Sequence, residues 1–451
     1  MPKIQNPVRA IVLIAIFICA PPIGAAPVDN VANAWAQVPA ILARIKPPKF
    51  PHREFPVVQY GAVGDGVTDC TEAFQRAIDV CNSAGGGVVI VFRGTWLTGP
   101  IHLKSNVNLC VKKGATIRFS SDPNHYLPVV LARYEGTEVM NYSPLLYAFG
   151  QTNIAITGDG TLDGQGATWH AWKLSDDPKR SVQMASQGVP VEQRIFGQGH
   201  HLRPNFVVPF RCSSVLIEGV HIINSPMWVM NPVYCTNVTI QNVTVDTQGP
   251  NTDGCDPDSC ADVLIRNCNF SDGDDCISIK SGRDKDGQKI NIPARDIVIQ
   301  NSHFKAGHGG IALGSETAGG IREVFAEHCD FDSTNLAMAI RLKTNPARGG
   351  YIQDVYVRNC VVKQAQIGIG MTLRYGSSGA IDGETAPIIR NIDIRDTTFQ
   401  HLSAQPIFIE GWSESARISD VSIIDCRFLH AAKKNYITNA TNIVTDGSRF
   451  Y

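Results

Sequence analysis

The 451-residue chain has no excess of charge of either sign. It carries 40 Lys and Arg against 41 Asp and Glu, which gives a formal net charge of -1 at pH 7. A near-neutral balance gives no reason to expect nucleic acid or a membrane surface as a partner. If the ligand is charged, a local group of side chains must meet that charge, because the overall field of the protein is weak.

Metal-binding motifs are also missing from the sequence. It contains neither a Cys-x-x-Cys pair nor a His-Glu-x-x-His run. Both patterns place ligands at the spacing that a metal ion requires. The sequence therefore predicts no bound metal and no cofactor.

Long apolar runs are scarce, and the one that precedes the folded part is short. "AIVLIAIFICA", residues 10–20, follows Lys3 and Arg9 and leads into "PPIGAA". It is too short to cross a membrane as a helix. Basic residues before such a run and small residues after it are typical of a signal peptide. We expect residues 1–26 to be removed, leaving an exported protein, periplasmic or extracellular, with no membrane contact.

Cysteine is not scarce, since 12 of the 13 cysteines follow the predicted signal peptide. An oxidising compartment permits disulfides. Cys255 and Cys260 share one loop and are a plausible pair, although the sequence does not settle the disulfide pairing. Many of the others lie in strand-like runs, where a free buried cysteine is equally compatible with the pattern.

A short template recurs along the chain. It has a polar start, three or four alternating apolar residues, an Asn, Asp or His at a bend, and a second short apolar strand. Intervals of 23 to 37 residues separate the starts from Ser214 onward. This pattern predicts an all-β fold, a right-handed parallel β-helix, rather than an immunoglobulin-like sandwich whose consecutive strands do not repeat one template. The nine templates start at Asn153, Ser214, Asn237, Asp262, Asp296, Glu323, Asp354, Asn391 and Asp420.

An amphipathic helix is predicted before the first coils. "TDCTEAFQRAIDVCNSAGGG", residues 68–87, has apolar residues at helical spacing and a run of glycines that ends the helix. Asp69 and Glu72 occupy capping-box positions. Since the end of a strand stack invites aggregation, we expect the helix to cap the first coil. Its predicted buried residues are Phe74, Ala77, Ile78 and Cys81.

One domain accounts for most of the chain. We expect an N-terminal extension over residues 27–54 and a single β-helix domain over residues 55–451. Residues 167–205 have no coil pattern and are predicted to form a long loop.

Six charged or ionisable side chains recur at corresponding positions of four successive coils. Such positions stack roughly 4.8 Å apart, so we expect three carboxylates, an imidazole and two cations in one patch. They are Asp253 in "NTDG", Asp274 and Asp275 in "GDDC", His308 in "GHG", and Arg341 and Lys343 in "RLK".

Each of these motifs has an ordinary interpretation when it stands alone. A pair of aspartates in a turn is usually a solvated bend or a calcium ligand, and "NTDG" is a common Asx-turn. Asn251 either orients the acidic loop or caps a turn. Tyr375 is either a stacking platform for a sugar ring or a structural tyrosine. The coincidence of all the motifs at matching coil positions favours a catalytic site.

Taken together, the four motifs resemble the polygalacturonase family of glycoside hydrolases, family 28. The resemblance implies a parallel β-helix and hydrolysis of α-1,4-linked galacturonate with inversion. It implies that Asp274 is the general acid, that Asp253 and Asp275 hold and deprotonate water, and that His308 tunes the acid. Two flanking carboxylates should raise the pKa of Asp274. Inverting pairs generally lie roughly 6.5–9.5 Å apart.

The substrate of that family carries one carboxylate per sugar. Arg341 and Lys343 suit such a substrate, Arg341 through a bidentate fork. Residues 281–288, 314–324 and 341–350 resemble the bacterial exo-acting branch. There, loops close one end of the cleft, which makes Arg283 and Arg348 candidates for binding substrate carboxylates. Residues 167–205 could belong to this closure.

The sequence therefore predicts a monomeric exo-polygalacturonase that acts on polygalacturonate or oligogalacturonides from pectin. Within the family, an endo-polygalacturonase or another pectin-backbone hydrolase is the alternative. Outside it, a calcium-dependent pectate lyase or a non-catalytic carbohydrate-binding β-helix would share the fold. A lyase needs calcium and a basic residue that abstracts a proton. A binding protein has no need for three acids and two cations in register.

Overall fold

Each turn of the chain adds one strand to each of several parallel sheets, which makes the fold a right-handed parallel β-helix. The computed structural model describes residues 28–376, 386–416 and 418–451; the predicted signal peptide lies outside these residues. Sheet A has 13 parallel strands. They are Glu54–Pro56, Gly87–Val91, Val107–Val111, Thr152–Gly158, Ser213–Glu218, Thr236–Gln241, Ala261–Arg266, Ala294–Gln300, Ile321–Glu327, Tyr351–Arg358, Ile388–Arg395, Ile418–Ile424 and Ala440–Val444.

Sheet B runs beside sheet A and also has 13 parallel strands. Alternation along these strands directs phenylalanines inward, where Phe270, Phe304 and Phe331 stack through successive coils. The strands are Asp65–Asp69, Gly94–Thr98, Ala115–Phe119, Thr161–Asp163, His221–Ile223, Thr244–Asp246, Asn269–Ser271, His303–Ala306, Asp330–Asp332, Val361–Ala365, Thr398–Leu402, Arg427–Ala431 and Arg449–Phe450.

Sheet C forms the third face and has two parts. Isolated bridges at Met230, Val233, Cys255 and Asp258 connect them. The first part consists of Ile101–His102, Leu146–Phe149 and Val207–Phe210. The second consists of Ile277–Ile279, Gly309–Leu313, Met338–Lys343, Ile367–Thr372, Ile407–Glu410 and Tyr436–Thr438.

The recurring polar start of the sequence template has a backbone cause. All nine template starts adopt a left-handed conformation, with φ between 52° and 59°. Asn and Asp tolerate this region better than most other residues. The polar residue therefore bends the chain inside the first half of each sheet A strand, and apolar residues after it enter the core.

Helix α3, Thr71–Ser83, covers the first coil as predicted. Phe74, Ala77, Ile78 and Cys81 are all buried beneath it. The predicted capping box is wrong, because the N-cap is Cys70 and makes no side-chain cap bond. The Asp69 carboxylate instead accepts a hydrogen bond from the Thr71 amide at 2.9 Å, and Glu72 pairs with Arg76.

Two further helices precede the coils, α1 (Val28–Trp35) and α2 (Val38–Arg44). They pack on the outer face of sheet A, where Trp35 meets Phe325 with ring centroids 5.4 Å apart. Arg44 of α2 also pairs with Asp262 at 2.6 Å. The extension is thereby fixed to the side of the β-helix.

Residues 167–205 lack a coil, as predicted, but they contain short helices. These are the 3-10 turns Gly166–Thr168, His170–Leu174 and Val191–Gln193, and helix α4, Asp177–Ser186. Another 3-10 turn at Val57–Tyr60 follows the first strand, one at Pro123–Tyr126 precedes the hairpin described next, and helix α5, Asp284–Ile290, lies after the first strand in the second part of sheet C.

An antiparallel hairpin, Val130–Tyr134 with Thr137–Asn141, stands apart from the coils. The short strand Ile195–Phe196 pairs with it. The hairpin was not predicted from the sequence. It projects from the early coils toward the coil that carries Arg283.

The 12 described cysteines are all free and buried. Cys255 and Cys260, the plausible pair, are therefore not bonded to each other. Cys260 lies in a ladder with Cys235, whose amide donates to the Cys260 sulfur at 3.3 Å. Cys255 is in the bridge between Met230 and Ile277. The two thiols occupy different positions in the coil, so sharing a loop does not bring them together.

No helix among the described residues is both long and apolar enough to span a bilayer.

Candidate active site

The predicted acids lie where sheet B turns into sheet C, a row that we call the B–C turns. Residues 272–276, 307–308 and 333–337 form three successive members of this row. The His308 amide donates to the Asp274 carbonyl at 2.7 Å, and the Gly254 amide donates to the Asp275 carbonyl at 2.9 Å. These bonds between coils bring acids distant in the sequence to one place.

Asp275 is fully buried, and two cations hold it. Arg341 donates to Oδ1 at 2.9 Å and Lys343 donates to Oδ2 at 2.6 Å. Burial alone would raise the pKa of Asp275, but the charges of Lys343 and Arg341 lower it below its ordinary range. The two cations assigned to substrate are therefore paired with a protein carboxylate in this structure. Asp275 stays ionised.

Asp253 is buried on the other side of the group. Burial raises its pKa well above the ordinary value, and the nearby charge of Asp274 adds to that effect. The positive charge of Lys280 opposes both, with its Nζ 3.7 Å from Asp253 Oδ2. The two acids expected to hold water are thus in different electrostatic surroundings.

Lys280 is a buried cation that the sequence analysis did not single out. Its Nζ lies 3.4 Å from Asp256 and 3.2 Å from Glu316, in addition to Asp253. It also donates to the Ser278 hydroxyl at 3.0 Å. Burial would lower the pKa of Lys280, but the surrounding carboxylates, Glu316 foremost, raise it well above the ordinary value. Lys280 is therefore a permanent charge beneath the acids.

Ser278 links this cation to the second acid. Its hydroxyl lies 3.3 Å from Asp275 Oδ2, while the Lys280 ammonium lies on its other side. Beneath the acids, Lys280 also faces the Trp228 ring, 4.4 Å from the centroid. Packing against an aromatic face fixes the cation and favours its charge.

Asp274 is the least enclosed of the three acids, with 15% of its side chain exposed. His308 Nδ1 lies 2.9 Å from Asp274 Oδ1. This hydrogen bond raises the pKa of His308, against the opposing effect of burial. The predicted contact between the imidazole and the acid is present.

One oxygen from each of Asp253, Asp274 and Asp275 lies within 4.8 Å of the others. The closest oxygens are therefore nearer to one another than roughly 6.5–9.5 Å, the separation of whole carboxyl groups in inverting enzymes. Two oxygens as close as these can both lie about 2.8 Å from one water. Lys280, Arg341 and Lys343 compensate the charge of these acids, so the cluster differs from the open set of oxygens that a hard cation such as Ca²⁺ requires.

A cleft of about 220 Å³ opens above these groups. It brings together most of the predicted binding and catalytic residues, with Asp275, His308 and Arg341 just outside its lining. Tyr375 lies over Lys343, whose Nζ is 4.7 Å from the ring centroid. The lining residues are Glu135, Trp228, Asn251, Asp253, Asp274, Lys280, Arg283, Ser315, Glu316, Lys343, Arg348 and Tyr375.

The hairpin closes one side of the cleft. Glu135 at its tip pairs with Arg283 at 2.6 Å, and the Arg283 amide donates to the Gly136 carbonyl at 3.1 Å. Gly136 has a φ of 79°, and a Cβ there would approach Glu316 to 2.8 Å. Only glycine fits between these side chains, so the hairpin tip and the coil loops form a continuous wall.

The second predicted arginine belongs to the same wall. Arg348 pairs with Asp284 and lies 3.8 Å from Glu316. Burial alone would raise the pKa of Glu316, but Lys280 and Arg348 lower it to about 2. Arg283 and Arg348 thus both face the cleft while each is paired with an acid of the protein.

Asn251 connects the acidic loop to residues 167–205. Its side-chain oxygen accepts a hydrogen bond from the buried Arg203 at 2.8 Å. Asn251 itself has a left-handed φ of 57°. In the structure Asn251 bends the chain and, through Arg203, ties the loop that carries Asp253 to residues 167–205.

The sequence analysis missed several residues of this site. Lys280, Asp256 and Glu316 form the buried charge network. Glu135 and Arg203 come from segments without a coil pattern. Trp228, Ser278 and Ser315 were also not predicted. One signal was available for Lys280, since a lysine closes the alternating run "ISIK" just after the two aspartates. The alternation places Lys280 on the same face as Ser278, opposite the core-facing Ile277 and Ile279, and this is the face on which the cleft lies.

The fold and the cleft together define a class: parallel β-helix proteins with clustered acids on the outer face of one row of turns. Within that class, residues 96–445 match the family model described as glycosyl hydrolases family 28. The chain belongs to this family.

Comparison with individual proteins agrees with that assignment. A crystal structure of a hyperthermoactive exopolygalacturonase from Thermotoga maritima is 40% identical, covers 92% of this chain and 96% of its own, and superimposes with a TM-score of 0.86. A probable polygalacturonase from Vitis vinifera is 34% identical over 77% of this chain and 69% of its own length. An exo-poly-alpha-D-galacturonosidase from Dickeya chrysanthemi is 29% identical over 76% of this chain. The chain spans 62% of the Dickeya protein.

Proposed function

We propose that this protein hydrolyses α-1,4-galacturonosidic bonds of polygalacturonate and pectin oligomers, and that it acts from a chain end with inversion. The observation that carries the proposal is the arrangement of three carboxylates around one point of a cleft that also contains four cations. The acids supply the chemistry of glycoside hydrolysis, and the cations suit a substrate with a carboxylate on each sugar.

Asp253 and Asp275 are proposed to hold the attacking water. Their closest oxygens lie within 4.8 Å of each other. At that spacing one water can donate an ordinary hydrogen bond to each of them. Asp275 is ionised and fixed by Arg341 and Lys343, so it orients the water. Asp253 has the raised pKa, which makes it the stronger base once it is ionised.

Asp274 is proposed to protonate the leaving glycosidic oxygen. It is the acid most open to the cleft, and its other neighbour is the His308 imidazole. A protonated His308 can donate to Asp274 and hold its carboxyl group in one orientation. His308 then tunes the acid without touching the sugar.

The closed wall supports exo action. Glu135, Gly136 and Arg283 join the hairpin to the coil loops on one side of the cleft. A polymer cannot pass through such a wall, so a chain end must enter first. Arg283 and Arg348 face the enclosed part and are proposed to contact the carboxylates of the terminal sugars, with Tyr375 stacking on a ring.

The remaining predictions complete the proposal. We propose that the protein acts as a monomer. We propose export to the periplasm or the medium after removal of residues 1–26, an extension over residues 27–54 and a catalytic domain over residues 55–451. No cofactor takes part in this chemistry.

The test is a time course on polygalacturonate with and without a chelator. Reducing ends, viscosity, ultraviolet absorbance and product size are measured together. Early mono- or digalacturonate with little loss of viscosity is the expected result. A rapid fall in viscosity with mixed oligomers would replace exo with endo action. Chelator-sensitive absorbance would indicate a lyase and contradict the roles of the three aspartates.

A further inference from the structure

Two contiguous grooves lie on the B–C turns, beyond the catalytic group. Their volumes are about 440 Å³ and 470 Å³. They share Ala431, Ala432 and Tyr451, so they form one surface, which we call the distal groove. It begins at Thr334, in the turn that follows the His308 turn.

The distal groove is collinear with the acids because of strand register. Its turns, residues 333–337, 366, 403–406 and 432–435, join consecutive strands of sheets B and C. Each strand is paired in parallel with that of the preceding coil. From the turn of Asp274 to that of Lys433 there are five coils at roughly 4.8 Å each, or about 24 Å along the axis.

The chemistry of the distal groove suits a polyanion made of sugars. Lys433 and Lys434 are exposed at its far end. His401 and His430 line its wall and stack on each other with ring centroids 5.1 Å apart. Tyr451 is 68% exposed and offers an aromatic face. None of the described residues that line it is acidic, and the nearby Asp332 is paired with Lys363.

We propose that the distal groove binds the continuing part of a polygalacturonate chain whose end is enclosed in the catalytic cleft. The inference rests on the proposed function. The hairpin wall comes from the early coils, so a chain leaving the acids runs toward the later coils and over this groove. Lysines pair with the carboxylates of remote sugars, and Tyr451 contacts a ring.

The experiment compares two double variants on substrates of different length. In Lys433→Ala/Lys434→Ala the two cations of the groove are removed. Lys112→Ala/Lys113→Ala is the control, because it removes an exposed lysine pair from the turn between sheets A and B. The readout is the ratio of kcat/KM on long polygalacturonate to kcat/KM on trigalacturonate, which is too short to reach the two lysines.

The ratio is expected to fall roughly threefold to tenfold in the groove variant and to stay at the wild-type value in the control. The difference should shrink as salt rises. Equal ratios for the two variants would overturn the inference.

A binding measurement separates this failure from failure of the proposed function. Calorimetric titration with a galacturonate octamer is made independent of turnover by carrying Asp274→Asn in both the groove variant and its reference protein. Weaker octamer binding in the groove variant supports the site even if the wild type fails to hydrolyse polygalacturonate, in which case only the proposed function falls. If octamer binding is unchanged in the groove variant and the wild type does hydrolyse the polymer, the groove is not a binding site and the proposed function still stands.

Discussion

Lys280 and Asp253 lie side by side under the cleft, with Nζ 3.7 Å from Oδ2. The same ammonium contacts Asp256 and Glu316, so one cation serves three buried carboxylates. The charge of Lys280 is the main attraction that keeps Asp253 able to ionise, against burial and the field of Asp274. Lys280 therefore has a positioning role beneath the proposed base.

Replacing Lys280 by Met should move the acid limb of the kcat/KM pH profile to higher pH. The sign follows from linkage: the cation lowers the pKa of Asp253, so its removal raises that pKa, and the base is protonated over a wider range. Unpairing buried carboxylates should also lower the free energy of unfolding by about 3–5 kcal/mol. Lys280→Arg keeps the positive charge, so the acid limb of its kcat/KM profile should lie at the same pH as in the wild type. Identical profiles for the Met and wild-type proteins would refute the role.

Replacing Asp274 by Asn should lower kcat by roughly 10²–10⁴-fold, because it deletes general acid catalysis. Thermal unfolding of the variant checks that the fold is intact. Asp79→Asn is a suitable control, since Asp79 forms an exposed pair with Lys104 far from the cleft. A folded Asp274→Asn protein with near-normal turnover is incompatible with the proposed acid.

Hydrolysis should release the β-anomer first. Inversion at an α-linked sugar requires water to attack from the opposite face, and Asp253 and Asp275 are proposed to hold that water. The close spacing of the acids makes this measurement decisive, because retaining enzymes generally have carboxyl groups roughly 5–5.5 Å apart. Proton NMR in the first minutes of reaction distinguishes the anomers. An initial α-anomer would make one of the buried acids a nucleophile.

Replacing Arg283 by Ala should open the wall and lengthen the products. Arg283 loses its pair with Glu135, so the hairpin tip is no longer fixed to the coil loop. Chromatography of early products should then show oligomers beside the mono- or digalacturonate, and viscosity should fall faster. Arg44→Ala, which removes an ion pair on the outer face of sheet A, should leave the product pattern unchanged. A product pattern for Arg283→Ala equal to that of Arg44→Ala would remove the wall from the explanation of exo action.

The sequence was sufficient for the β-helix and for the position of the acids. Residues such as Asn237 and Asp354 mark each coil because the backbone needs a left-handed residue there. The coil pattern can therefore be recognised from short stretches of sequence. Once the coils are aligned, the stacking of Asp253, Asp274 and His308 follows from parallel register alone.

The pairing of charges could not be read in the same way. Lys280 resembles a solvated strand end in the sequence, yet it lies under the cleft because Asp256 and Glu316, from other coils, compensate it. Arg341 and Lys343 were assigned to substrate because nothing local shows that Asp275 lies between them. The wall depends on a hairpin that the repeat does not contain. These contacts depend on side chains that meet across many residues of separation.

The described thiols have a consequence for how this protein is made. Since all 12 are free and buried, each acts as a small apolar filler of the core. The described fold therefore needs no oxidant or disulfide isomerase during maturation. Residues 27–451 produced in a reducing cytoplasm should reach the same native state as the same residues produced under oxidising conditions, and reductants should leave their thermal stability unaltered.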